Sequence, residues 1–176
     1  MIATADLKLN LGSRDRTIPG FKSMDIDPHS GVDYIGDVSD LSRFGDNTVN
    51  EILASHILEH FPHAKTLDVL KEWCRVLSKN GLLYVAVPDF KRTVELYSKI
   101  GLNDWIVNFL WGDQEYKTAF HYTGFDEGRL TRLLLKAGFS EASVVDELPQ
   151  HSDGDCSTLV STFDGGSVSL NMVAVK

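Results

Sequence analysis

Residues 82–87 read LLYVAV, an apolar run with no polar break, and they follow a helical pattern that stops at Asn80–Gly81. A strand apolar on both faces has to be buried on both faces, which marks a central parallel strand. Between Lys65 and Lys79, Leu67, Leu70, Cys74 and Leu77 recur on one face at helical spacing. Asn-Gly is the expected helix stop. A helix feeding a doubly buried parallel strand commits the chain to a layered α/β sheet.

Two shorter stretches set the front of that sheet. Leu7–Gly12, LKLNLG, is an apolar run ending in glycine, and Lys22 to Asp27, with its MDID end, is a second run ending in acids. In doubly wound sheets, a first strand ending in Gly and a second ending in an acid present a nucleoside-type ligand. Glycine permits close backbone approach, and a carboxylate accepts from both ribose hydroxyls. Asp25 and Asp27 both qualify, and Asp25 is favoured because Asp27 precedes Pro28. The linking segment 13–21 is polar, contains Pro19–Gly20, and is too short for a full crossover helix. At most one helical turn is expected there.

Further strands are predicted at Tyr34–Ile35, Asn50–Ala54 and Phe139–Glu147, and a single helical turn over Ser39–Phe44. Helices are predicted over Thr93–Ile100 and Asn103–Trp111, broken at Gly101, and after an Asp126 cap, with Leu130, Leu133, Leu134 and Ala137 on one face and Gly138 as the stop. Pro149–Ser157 reads as a loop. Leu159–Phe163 and Ser167–Val175 flank Asp164–Gly165–Gly166 as a hairpin. Gly112–Phe125 is aromatic and polar without periodicity.

The chain has 176 residues and a net charge of −8, which fits one domain and argues against nucleic-acid and anionic-membrane surfaces. Its two cysteines make no disulfide framework, and Cys74 is read as a buried thiol. No leader pattern and no membrane-length apolar run is evident, so the expected setting is cytoplasmic.

LNLGSRD, SMDID, IGDVSDL, ILASHILEHF, RVLSKNGLLYVAVPDF and SLNMVAV together resemble class I S-adenosylmethionine-dependent methyltransferases, most closely small stand-alone type 11-like enzymes. The resemblance runs over essentially the whole chain. It implies one domain over 1–176 and a Rossmann-like seven-stranded sheet of order 3-2-1-4-5-7-6 with strand 7 antiparallel. It also implies S-adenosyl-L-methionine as cofactor, bound by Asn10, Gly12, Asp25, Ile26, Asp37, Val38 and Ser55. Asp37 would take the adenine amine and Val38 cover its ring. The chain departs from the family in its first loop, Gly12-Ser13-Arg14-Asp15, and in its shortened first crossover.

If the acceptor is an oxygen, a base has to take its proton. His56, His60 and His121 are candidates, with His121 and His56 assigned as catalytic. A lid-like segment over about 101–125 would exclude water, with Gln114 and Tyr122 as substrate contacts. The expected substrate is a small molecule or glycan-type sugar.

Other readings remain beside this one. His56-Ile57-Leu58-Glu59-His60 matches H-x-x-E-H, which in inverted zincins puts two zinc ligands on one helical face. Loss of the glycine-rich loop leaves a non-catalytic methyltransferase-fold binding protein. A dinucleotide dehydrogenase is disfavoured because G-x-G-x-x-G is absent. Trp105, Phe109, Leu110 and Trp111 are read as core or as the face of a homodimer.

Overall fold

The computed structural model describes residues 6–149 and 158–176. The doubly buried run becomes the core of β5 (Leu77–Pro88). With it stand β1 (Lys8–Leu11), β2 (Lys22–Asp25), β3 (Tyr34–Ile35), β4 (Val49–Ser55), β6 (Glu141–Val144) and β7 (Ser169–Val175). The sheet order is β3-β2-β1-β4-β5-β7-β6. The pairs among β1 to β5 are parallel, and β7 runs antiparallel to both β5 and β6. The helices are α1 (Thr66–Val76), α2 (Phe90–Ile100), α3 (Asp104–Trp111) and α4 (Glu127–Ala137).

Register divides the sheet into two unlike faces. Leu9, Ile52, Leu83 and Ala174 are cross-strand partners on one face, and α1 and α4 cover it with Leu70, Trp73, Leu130 and Leu134. On the other face Asn10, Ser23, Leu53, Tyr84 and Val173 align, with Lys8 beside Glu51. That face has no helix from the first crossover. Ile18 and Leu148 pack on Leu53, Tyr84 and Ala86, with Phe21 and Val145 at the margin. Lys8 and Glu51 form a 2.6 Å ion pair there. A face carrying this many polar groups buries less apolar area, so a short connection suffices to cover it. The first crossover accordingly contains turns and no helical turn.

Other boundaries differ from the sequence reading. The long helix ends at Val76, because Leu77 is already extended (ψ 139°) and pairs with Val49. Asn80–Gly81 therefore lies inside β5, where Asn80 takes φ 62°, and does not stop the helix. The face α1 buries is Thr66, Val69, Leu70, Trp73, Cys74 and Val76, and Leu67 is only half-buried. The second strand stops at Asp25. Residues 39–44 form turns. α2 begins at Phe90, one turn early, because the Asp89 side chain caps it by accepting from the Arg92 amide. β6 is shorter than Phe139–Glu147. Leu159–Phe163 is not a strand: only Val160 bridges to Ser167, before β7 starts at Ser169. Asp126 caps α4 and Gly138 closes it in the left-handed conformation, as expected. Most of the predicted loop Pro149–Ser157, with Cys156, lies outside the described residues.

Candidate active site

The C-terminal ends of the parallel strands open into one cavity of about 740 Å³. This is where open α/β sheets bind ligands. Gly12, Asp25, Ile26, Asp37 and Val38 line one end. His56, Glu59, His60, His121 and Tyr122, with Trp105 and Phe109, line the other.

The first end is built from backbone bonds that meet carboxylates. Gly12 has φ +66°, and a Cβ there would lie 2.6 Å from Cδ1 of Ile57, so no side chain fits. The amides of Gly12 and Ser13 both donate to the Met24 carbonyl, tying the loop after β1 to β2. Asp25 is buried, and its two oxygens accept from the amides of Arg14 (2.7 Å) and Asp27 (3.0 Å). Each oxygen keeps a lone pair for a ligand. Asp37 accepts from the amide and hydroxyl of Ser39, so it caps a turn while facing the cavity. α1 clamps the adjoining loop: Trp73 Nε1 donates to the Val38 carbonyl (2.9 Å), and Glu72 accepts from the Leu41 amide. Arg75 donates to the carbonyls of Leu41 and Phe44 and pairs with Asp46. The Arg75 guanidinium holds the Glu72 carboxyl below its usual range.

The second end is assembled across the chain. After β4, His56 takes φ 51° and a three-residue 3-10 turn, Leu58–His60, follows. The stretch 120–123 lies against it: Tyr122 donates its amide to the Glu59 carbonyl (2.8 Å), and Thr123 its hydroxyl to the Phe61 carbonyl (3.0 Å). His60 Nδ1 donates to the Phe120 carbonyl and His121 Nδ1 to the Phe109 carbonyl, each at 3.0 Å. A carbonyl can only accept, so both rings carry their proton on Nδ1 when neutral and leave Nε2 bare. The two rings stand 4.9 Å apart, centre to centre.

Glu59 is fully buried. Its Oε1 lies 3.2 Å from His56 Nδ1, and neither oxygen completes a well-aligned hydrogen bond among the described residues. Burial pushes this carboxyl up, but the contact with the His56 ring and the nearness of His60 and His121 outweigh it, and its pKa falls below the ordinary value. Burial pushes His121 down, against the pull of Glu59.

Several expected residues sit elsewhere. Asn10 is buried behind the wall, where it bonds the Arg16 carbonyl (3.4 Å), and Ser55 is buried without lining the cavity. Gln114 is exposed outside the pocket, and its amide reaches the Trp111 carbonyl. His56 lines the cavity, but its second nitrogen is engaged 2.9 Å from Ser169 Oγ. The zincin arrangement fails, because His56 lies outside the short turn and faces Glu59 and Ser169, not a site shared with His60. The segment 101–125 divides into α3, an exposed stretch 113–118, and the pinned stretch 119–125.

Some lining residues were not singled out as pocket walls from the sequence. Trp105 and Phe109 stack at 5.2 Å and pack against the Leu96–Ile106–Val168 cluster, in line with the core reading, while also forming a wall of the cavity. The Arg14 guanidinium sits 5.2 Å over the Tyr116 ring, joining the first loop to the exposed stretch across the pocket. Their helical or loop positions gave no signal of this, since only the fold apposes them.

Residues 22–85 match the family model described as a methyltransferase domain. No curated protein matches the sequence. Solved structures with the same fold include a SAM-dependent methyltransferase of Archaeoglobus fulgidus, at TM-score 0.64 and 11% identity over 98% of this chain and 86% of that one. A Methanosarcina mazei SAM-dependent methyltransferase aligns at TM-score 0.62 and 21% identity, covering 99% and 94% of the two chains. The 1,6-didemethyltoxoflavin N1-methyltransferase of Burkholderia thailandensis aligns at TM-score 0.62 and 16% identity, covering 97% and 70%. With a methyltransferase domain matched from β2 into β5 and the full seven-stranded order in place, the chain has the fold of class I S-adenosylmethionine-dependent methyltransferases.

Proposed function

We propose that this protein methylates a small-molecule or glycan-type acceptor, at oxygen, with the cofactor at the acidic strand ends and the acceptor at the histidine end. The observation that carries the reading is one continuous cavity whose two ends differ in chemistry. The cofactor end fits S-adenosylmethionine on its own terms. Gly12 keeps the loop backbone free of a Cβ beside the cavity, Asp25 keeps lone pairs for ribose hydroxyls, and Asp37 and Val38 supply an acceptor and an apolar cover for adenine. Arg14 and Arg16 line the same end and suit the amino-acid carboxylate. When bound, the cofactor supplies a methyl group on a cationic sulfur, which passes in line to a nucleophile while the bond pair returns to sulfur.

The protein's part is positioning and proton control. Trp105 and Phe109 give an apolar wall for a ring or sugar face. Tyr122, His60 and His121 border the acceptor's side of the cavity. Glu59 supplies the negative charge of that end. The Burkholderia N1-methyltransferase structure holds 1,6-didemethyltoxoflavin together with S-adenosylhomocysteine, which supports a cofactor and a small molecule bound side by side on this fold.

Calorimetry with S-adenosylmethionine and S-adenosylhomocysteine, followed by labelled-methyl transfer to a panel of hydroxylated small molecules and sugars, tests the reading. Binding with transfer to an oxygen is the expected result. Transfer only to nitrogen acceptors corrects the acceptor atom. Binding without any transfer turns the reading toward a methyltransferase-fold binding protein, and no binding of either compound overturns it.

A further inference from the structure

We infer that Glu59, His60 and His121 form a site for a divalent transition-metal ion of the zinc type, set into the acceptor end of the cavity. The inference deepens the methyltransferase reading, on which its role rests, while the site itself stands on geometry.

One ligand atom from each of the three residues lies within 4.8 Å of the other two. Ligands held about 2.0–2.2 Å from a zinc ion stand somewhat closer together, so a small closure of the rings completes the set. The outer shell is already in place. Each histidine donates Nδ1–H to a main-chain carbonyl, which fixes its tautomer and aims Nε2 as the ligand. His56 stands behind one oxygen of Glu59 at 3.2 Å. A fully buried carboxylate with no aligned hydrogen bond is costly unless a cation meets it. Two imidazole nitrogens and one carboxylate oxygen suit zinc and its transition-metal neighbours over magnesium or calcium. Three protein ligands with the remaining position open is the pattern of a catalytic zinc site. Here all three residues line the cavity, so the open position faces the acceptor.

A second group, Asp25, Asp27 and His29, also comes within ligand distance. It is a poorer site, because Asp27 is exposed and both Asp25 oxygens already accept from backbone amides.

The test uses the full chain freed of metal with a chelator. Cobalt(II) is titrated while its visible d–d absorption is followed, and zinc is then added in competition. One cobalt per chain, displaced by zinc, is expected. His60→Ala and His121→Ala should weaken binding on the order of 100-fold, and His29→Ala and His63→Ala should leave it unchanged. Ring-nitrogen NMR of the wild-type chain needs no variant: zinc should give two histidines the shift of Nε2 coordination. Absence of a cobalt spectrum at millimolar metal, binding unaffected by His121→Ala, or loss of binding in His29→Ala would each overturn the site. S-adenosylhomocysteine calorimetry on the metal-free chain reports separately on the methyltransferase reading. Metal binding without cofactor binding would fail that reading and keep the site, and the reverse would fail the site alone. The same calorimetry shows whether each variant keeps its fold.

Discussion

At the cofactor end of the cavity, each acid with a described bond meets a backbone amide a short way along the chain or on the next strand. Asp25 holds Arg14 and Asp27, and Asp37 holds Ser39. At the histidine end, Glu59 is buried with no aligned partner among the described residues, and the rings beside it are held from behind by carbonyls of residues 109 and 120. The first end is satisfied without a ligand, so it is preorganised and a cofactor adds to it. The second gathers two histidines around a buried carboxylate, which a native fold retains where chemistry or a cation uses it. On the proposed reading the difference is one of function: a binding end is built to be stable, and a reacting end holds groups that stability alone would not choose.

The largest expected effect separates the two ends. His121→Ala should lower turnover by roughly 10²–10⁴-fold while calorimetric affinity for S-adenosylmethionine stays within about twofold. A parallel loss of both would merge the ends into one unit and break the comparison. Gly112→Ala attacks the turn that carries His121. Gly112 has φ +79°, and a Cβ there would fall 1.8 Å from the Ala119 carbonyl oxygen. We expect a loss of about 2–4 kcal/mol in urea unfolding. At temperatures where the variant stays folded, cofactor affinity should survive better than turnover. A variant as stable as the parent would show that the 112–119 turn has room to shift.

Asp25→Ala should weaken cofactor binding by about 1.5–3 kcal/mol, read by calorimetry, while Asp27→Ala costs much less. The opposite ranking would move the ribose contact to Asp27. The smallest effect concerns the clamp behind Val38. Arg75 and the Leu41 amide hold Glu72 below its ordinary value of 4.5, so the charged form is favoured in the folded state. The stability this gives is fully present above about pH 4.5 and is lost as pH falls through the lower folded value. Glu72→Gln should therefore destabilise on the order of 1 kcal/mol at pH 7, and the gap should narrow as the pH falls below about 4.5. A gap constant with pH would mean that the clamp acts through packing and not through charge.

Which residues line the acidic end of the cavity was largely legible in the chain. LNLG and MDID put a glycine and an acid at the ends of strands, and strand ends are fixed by local periodicity. What stayed hidden there was the double duty of Asp25 and the retreat of Asn10 and Ser55 behind the wall, because orientation follows from register with neighbours. Gln114 looked equivalent to Tyr122 as a polar group in an irregular stretch, and only the pinning of 120–123 against Glu59 and Phe61 decided between them.

By itself the sequence determined the layered α/β class, its central strand, the caps at Asp126 and Gly138, and a glycine and acids at strand ends that the structure places on the cavity wall. All of these rest on periods and turn chemistry spanning a few residues. The strand order came through resemblance, and the pairing registers bear it out. Only tertiary structure decided that Glu59 and His60 meet His121, since the residues are some 60 positions apart and no local rule links them. The same holds for the partly polar face that a short connection covers in place of a crossover helix. Whether a strand needs a helix over it depends on what four neighbouring strands place on that face, and a linear pattern does not contain that sum.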